Sequence, residues 1–199
     1  TAVYWREPVT GATAENPVGR EDMSQGIQLP LYQVDAFTDR TFSGNPAAVC
    51  LLEAPLPPDM MLNIAREMNL SETAYVQPPD REGVRKLQWF TPAVEVPLCG
   101  HATLATAHIL LREERVEPPL LFGTLSGLLT VTEEEDGWLR MDFPEDPPIP
   151  TPPPEGLLEV LGCPPPTLTL LGRKGWVLRV PTEEDVRRIA PDFTQLGRV

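Results

Sequence analysis

The sequence predicts an α+β fold, on three observations. Short apolar runs of strand length recur between turn signals. One segment, Gly100 to Arg115, is apolar nearly all round and therefore needs burial on every side. Asp136-Gly137 separates two β-type runs, a good hairpin signal. At 199 residues the chain is long enough for one domain, or one plus part of another, with a sizeable core. Sixteen basic against 29 acidic residues give a net charge of −13. That balance speaks against non-specific nucleic-acid or anionic-membrane binding, which needs clustered Lys and Arg. No apolar run approaches the ~18 residues that span a bilayer, and no charged-apolar-small leader marks secretion. Three scattered cysteines make no disulfide framework. The expected setting is reducing and cytoplasmic.

Residues 1–29 lack periodicity and read as a mobile leader. Leu31 to Phe37 forms a strand, Thr38 to Pro46 a turn-rich loop, and Ala47 to Leu52 a buried strand. Pro57-Pro58-Asp59 opens a helix through Met60, Met61, Ile64 and Met68, with Asp59 as its cap. Strands follow at Thr73 to Gln77 and Leu87 to Thr91, then the buried helix. Leu120 to Thr132 and Gly137 to Phe143 read as two strands. In the second, Leu139, Met141 and Phe143 alternate with Arg140 and Asp142, so one face is wet. The expected first unit is therefore 30–144.

Seven prolines in the eleven residues from Pro144 to Pro154 read as a stiff linker, placed at 145–155. Beyond it, 156–199 holds a short helix at Leu157 to Leu161, a hairpin from Thr167 to Val180 through Lys174-Gly175, and a helix at Thr182 to Ile189. In the last, Thr182 and Asp185 approach a capping box. These residues hold too few apolar elements to close a core alone, and read as the start of a second unit.

Three patches at element boundaries carry potential chemistry. In Ser43-Gly44-Asn45-Pro46, Gly and Asn tolerate positive φ, so backbone can approach a ligand closely. In Asn69-Leu70-Ser71-Glu72-Thr73, Glu72 lies between a helix and an apolar strand. Desolvation at a core edge favours the neutral form of a carboxyl and suits a group that both takes and gives a proton. In Pro97 to Thr103, the residues Cys99, Gly100 and His101 open the buried helix. A helix start offers free N–H groups and a positive dipole end to an anionic ligand. Each patch also has a plainer reading: a strand-connecting turn, a solvated strand-end Glu, a capping His beside a small buried Cys. His108, seven residues further on, reads as a core or interface residue. There is no Gly-x-Ser-x-Gly elbow, phosphate loop, dinucleotide fingerprint or zinc spacing. Cys50, Cys99 and Cys163, with two histidines, make no convincing metal site.

Five ordered motifs together resemble the PhzF-like family, named for phenazine biosynthesis. They are Asp35-Ala36-Phe37-Thr38, Gly44 to Val49, Ala65 to Ala74, Trp89-Phe90-Thr91-Pro92 and Glu95 to Thr103. The wording is similar to the animal branch, and the match is dense from Leu31 to Phe143. The resemblance implies a diaminopimelate epimerase-like fold: two similar halves, each wrapping strands around a central helix, with the active site between them. It implies Glu72 as general acid/base, moving a proton between carbons of a small cyclic carboxylic acid with no metal or organic cofactor. It implies substrate contacts from Gly100, His101 and Asn45. The family's second half carries an acidic Asp-Pro-Val-Thr-Gly-Ser-type loop for the same site. Glu7-Pro8-Val9-Thr10-Gly11 echoes it in the leader and is assigned no role. The chain is thus expected to be truncated, holding one half and only the start of the other, with an incomplete site unless a homodimer rebuilds it.

Two other functions compete with this isomerase. A racemase or epimerase of the same fold would use Cys99 as its base, with a second thiol from the other half. A non-catalytic interaction protein would use the cleft or its exposed half-domain face to bind partners. The expected partners of the isomerase are a small carboxylate and a second copy of the chain, with no nucleic acid and no membrane.

Overall fold

The computed structural model describes residues 29–40, 42–173 and 175–199. Apart from Leu29, the expected leader lies outside the described residues, as does the echo at Glu7 to Gly11. Two compact units divide between Phe143 and Pro144.

The first unit begins with an antiparallel pair, β1 (Leu31–Ala36) and β2 (Asn45–Leu51). Helix α1 (Pro58–Met68) then crosses to β3 (Glu72–Pro79), which runs parallel to β2. Pro58 suits the first helical position because its fixed φ is helical and it lacks an N–H that would be unpaired anyway. Asp59 is not the cap: Pro57 holds that position without a side-chain bond, and Asp59 lies in the first turn, favourable to the dipole. The helix ends at Asn69, whose left-handed φ of 51° lets its N–H reach the Ala65 carbonyl.

Strand β4 (Val84–Phe90) pairs antiparallel with β3 and with the two-residue β5 (Glu95–Val96). Helix α2 (Gly100–Arg112) follows. It stops three residues short of the expected Arg115, which turns out of the helix at φ 53°. Strand β6 (Leu120–Thr124) joins β4 in parallel, and β7 (Gly127–Glu133) and β8 (Leu139–Asp142) complete the sheet antiparallel. The single strand expected over Leu120 to Thr132 is therefore two strands. The chain reverses at Leu125-Ser126, helped by Gly127 at φ 99°, and Thr124 Oγ1 donates to the Gly127 carbonyl. The Asp136-Gly137 turn lies where the sequence indicates, between β7 and β8, with Gly137 at φ 83°.

The main strand order is β1-β2-β3-β4-β6-β7-β8. One face gathers around α2: Tyr32, Val34, Ala47, Val49, Ala74, Val76, Leu87, Trp89, Phe122, Leu129 and Val131 pack with Ala102, Ala105 and Ile109 in one cluster. On the other face Cys50, Leu52, Tyr75 and Phe90 meet Met61 and Ala65 of α1. The Tyr75 hydroxyl donates to the Met61 carbonyl at 2.6 Å, and its ring meets Phe90 edge-on at 5.7 Å between centroids. Nine of the thirteen α2 residues are buried, as its all-round apolar pattern requires.

The second unit carries β9 (Ile149–Pro150), α3 (Leu157–Leu161), β10 (Leu168–Gly172), β11 (Gly175–Arg179), α4 (Glu183–Arg188) and α5 (Phe193–Leu196). Its three strands are ordered β11-β10-β9. The proline-rich segment thus contributes a strand and is more than linker. Asp146 accepts bonds from the Arg173 backbone and guanidinium. Both bonds of the Thr182–Asp185 capping box form. Among the described residues of this unit, Leu157 is the one buried hydrophobic side chain.

Candidate active site

The left-handed Asn69 redirects the chain from α1 into β3, and Glu72 is the first residue of that strand. Register then decides which way its side chain points. Glu72 lies opposite Ala47 of β2, and residues 72, 74 and 76 share one face because side chains alternate along a strand. Ala74, Val76, Ala47 and Val49 all belong to the α2-facing core, so Glu72 is presented on that face at its open end. Its side chain keeps 20% exposure. Asn45, first residue of β2 and opposite Ala36, is two residues before Ala47 and has the same parity. Asn45 itself is extended; Gly44 takes the positive φ of 84°. A Cβ on Gly44 would lie 2.3 Å from the Ala36 carbonyl oxygen, so the loop needs glycine there.

The other side of the site is the start of α2. Cys99 is the extended N-cap residue, with φ −143°. Its carbonyl accepts from Thr103 twice, from the backbone N–H at 3.3 Å and from Oγ1 at 2.6 Å. Gly100 is the first helical residue, and a Cβ there would meet only Phe143 Cζ at 3.7 Å, ordinary van der Waals contact. The first N–H groups of a helix have no acceptor within it, and the dipole's positive end gathers there.

His101 joins the two sides. His101 is 8% exposed, and its Nε2 stands 3.4 Å from Glu72 Oε2 and 3.2 Å from Ser71 Oγ. The other nitrogen, Nδ1, stands 3.4 Å from Cys99 Sγ. Carboxylate, imidazole and thiol thus form one cluster, the carboxylate at one ring nitrogen and the thiol at the other. Glu72, Cys99 and His101 each offer a metal-ligating atom, all within 4.8 Å of one another. The thiol faces one ring nitrogen and the carboxylate the other. Ser71 has no separate signal in the sequence beyond a hydroxyl beside a carboxylate in the α1–β3 turn.

His108 lies away from this cluster, lining a hollow of about 140 Å³ with Asp35, Phe37, Thr38, Leu104 and Leu139. Burial first, and Arg112 second, hold its pKa below the usual imidazole value. A wider hollow of about 580 Å³, lined by Gln77, Lys86, Gln88, Glu95 and Leu128 among others, contains neither Glu72 nor His101. Cys50, in β2, is buried on the α1 side of the sheet, its thiol pushed up to about 12 by desolvation, and has no place in the site.

Residues 34–156 match the model of a family described as phenazine biosynthesis-like protein. An uncharacterized isomerase of Pseudomonas aeruginosa is 47% identical over 171 residues, covering 85% of this chain and 64% of that protein. The human phenazine biosynthesis-like domain-containing protein is 52% identical over 125 residues, 59% of this chain and 43% of that one. A crystal structure of a PhzF-family protein from Enterococcus faecalis superposes with a TM-score of 0.75 at 42% identity, covering 87% of this chain and 65% of the other. The chain thus spans less than two thirds of the length of these relatives.

Proposed function

The chain belongs to the phenazine biosynthesis-like family, and from that premise we propose an isomerase that moves a proton between carbons of a small carboxylic acid. Glu72 is the proton carrier. As the carboxylate it takes a proton from a carbon next to a double bond: the C–H bond breaks, an O–H bond forms on Glu72, and the electron pair shifts through the double bond. The same carboxyl returns the proton at the far carbon, so atoms and electrons balance without a co-reactant. The N–H groups at Gly100 and His101 receive the substrate carboxylate and the negative charge that develops on it. Asn45, on the same sheet face, is the third substrate contact.

The observation that carries this reading is the 3.4 Å contact between Glu72 Oε2 and His101 Nε2 at the tip of α2. It couples an acid/base group to an anion-binding helix start. The part-exposed carboxylate also supports Glu72 over Cys99 as the base, because Glu72 keeps 20% side-chain exposure while Cys99 is only 7% exposed.

The test is deuterium incorporation from D2O into cyclic unsaturated carboxylic acids, followed by NMR. It is run on the longest natural chain that carries this sequence, with size-exclusion light scattering to identify a dimer. Glu72→Gln is expected to slow exchange at least about 100-fold with unchanged thermal unfolding. Full exchange by that variant, or none by the unaltered protein, overturns the proposal.

A further inference from the structure

We infer that Cys99 is a positioning residue: its thiol fixes the His101 ring in the tautomer that aims the Nε2 hydrogen at Glu72. The inference rests on Glu72 as the proton carrier, and concerns how that carboxylate is held ready.

A neutral imidazole has one N–H and one lone pair, and its neighbours decide which nitrogen keeps the hydrogen. Here the neighbours differ in kind. Nε2 faces a carboxylate oxygen at 3.4 Å and a hydroxyl at 3.2 Å. An ionised carboxylate only accepts, so a lone pair on Nε2 would be repelled by Glu72. Nδ1 faces Cys99 Sγ at 3.4 Å. A thiol is a weak donor and a weaker acceptor, so it is better spent giving S–H to a ring lone pair than receiving N–H. Both ends therefore select one arrangement: S–H to Nδ1, and Nε2–H to Glu72 with Ser71 Oγ beside it. In the reverse tautomer Ser71 Oγ can still donate to Nε2, but the Nε2 lone pair then faces the Glu72 carboxylate.

The thiol is built to act in this way. Cys99 occupies the extended N-cap position, and its own carbonyl is held twice by Thr103. Cys99 is 7% exposed, and its Sγ stands against Nδ1, the ring nitrogen turned away from the 3.4 Å Glu72 contact. The consequence for the carboxylate is directional. Oε2 faces the ring at 3.4 Å, and we assign the substrate proton to Oε1. This is a different part from the thiolate base of the competing racemase reading, in which Cys99 itself touches the reacting carbon.

The experiment is long-range 1H–15N NMR of the histidine rings in the uniformly labelled protein at pH 8, where a free imidazole is neutral. The chain has two histidines, and His108→Gln identifies the His101 signals by removing the others. The unaltered protein is expected to show the single Nε2–H tautomer, Cys99→Ser to retain it, and Cys99→Ala to give a tautomer mixture. In the exchange assay Cys99→Ala should lose about 10-fold in kcat at nearly constant KM, with Cys99→Ser restoring most of it. An Nδ1–H tautomer in the unaltered protein overturns the inference without any variant, and so does an Nε2–H tautomer unchanged in a folded Cys99→Ala. The NMR readout needs no turnover. A failure of the Glu72 assignment, seen as full exchange by Glu72→Gln, is therefore distinguished from a failure of the thiol's part.

Discussion

Thr73 follows Glu72 in sequence but points to the opposite side of the sheet, fully buried, with its hydroxyl lacking a hydrogen-bond partner among the described residues. A buried hydroxyl without a partner costs stability, and valine has the same shape without it. Thr73→Val should therefore raise stability by about 1 kcal/mol, read as a higher urea midpoint at constant slope, and leave proton exchange intact. Gly44 behaves in the opposite way. Gly44→Ala forces a Cβ against the Ala36 carbonyl at φ 84° and should cost at least about 1 kcal/mol in the same titration. His108 gives a pH signature. Burial, and then Arg112, lower its folded pKa, so between that value and the unfolded ~6.5 the unfolded chain binds more protons. Stability should therefore fall as pH drops below about 6.5, and His108→Gln should flatten that part of the stability–pH curve.

At the scale of elements, α2 governs the first unit. Ile109 is 0% exposed and lies in the cluster that joins the helix to most of the sheet. Ile109→Ala should cost about 2–5 kcal/mol in chemical denaturation, because so enclosed a site cannot collapse around the cavity. This helix was legible in the sequence because no polar stripe interrupts it, which admits only a central position. The Asp136-Gly137 turn and the Thr182 capping box were legible because their chemistry is local. The split of β6 from β7 was not: Leu120 to Leu129 runs apolar through the turn, and only Ser126-Gly127 marks it. Two-residue strands such as β5 are set by their partners and leave no periodic trace. The end of α2 was overrun because Glu113, Glu114 and Arg115 are as compatible with a helix as with the turn they form. In the site, Glu72 and His101 could each be singled out in sequence, but their 3.4 Å approach depends on the β2–β3 register. The accompanying Ser71 and the side of the ring taken by Cys99 are equally tertiary facts.

Across the whole molecule, buried apolar side chains are very unevenly distributed. Among the described residues nearly all belong to the first unit, and Leu157 alone represents 144–199. Amide exchange should follow this division: Ala105 to Leu111 protected longest, and the hairpin of β10 and β11 released by smaller openings. A uniform exchange profile would show that the two units unfold as one. Among the described residues, charged side chains make local ties, such as Arg112 to Glu133 from the end of α2 to β7 and Arg187 to Glu183 along α4. No helix among the described residues is long and apolar enough to cross a membrane.

The alternation of β3 has an evolutionary corollary. Losing one residue between Asn69 and Glu72 would seat Thr73 in the slot beside the imidazole, and gaining one would turn the acid toward α1. Point replacements around this corner can adjust the chemistry by degrees, whereas a one-codon slip would erase it at a stroke. Lineages that keep the reaction should therefore hold the spacing of this corner fixed even while its lettering drifts.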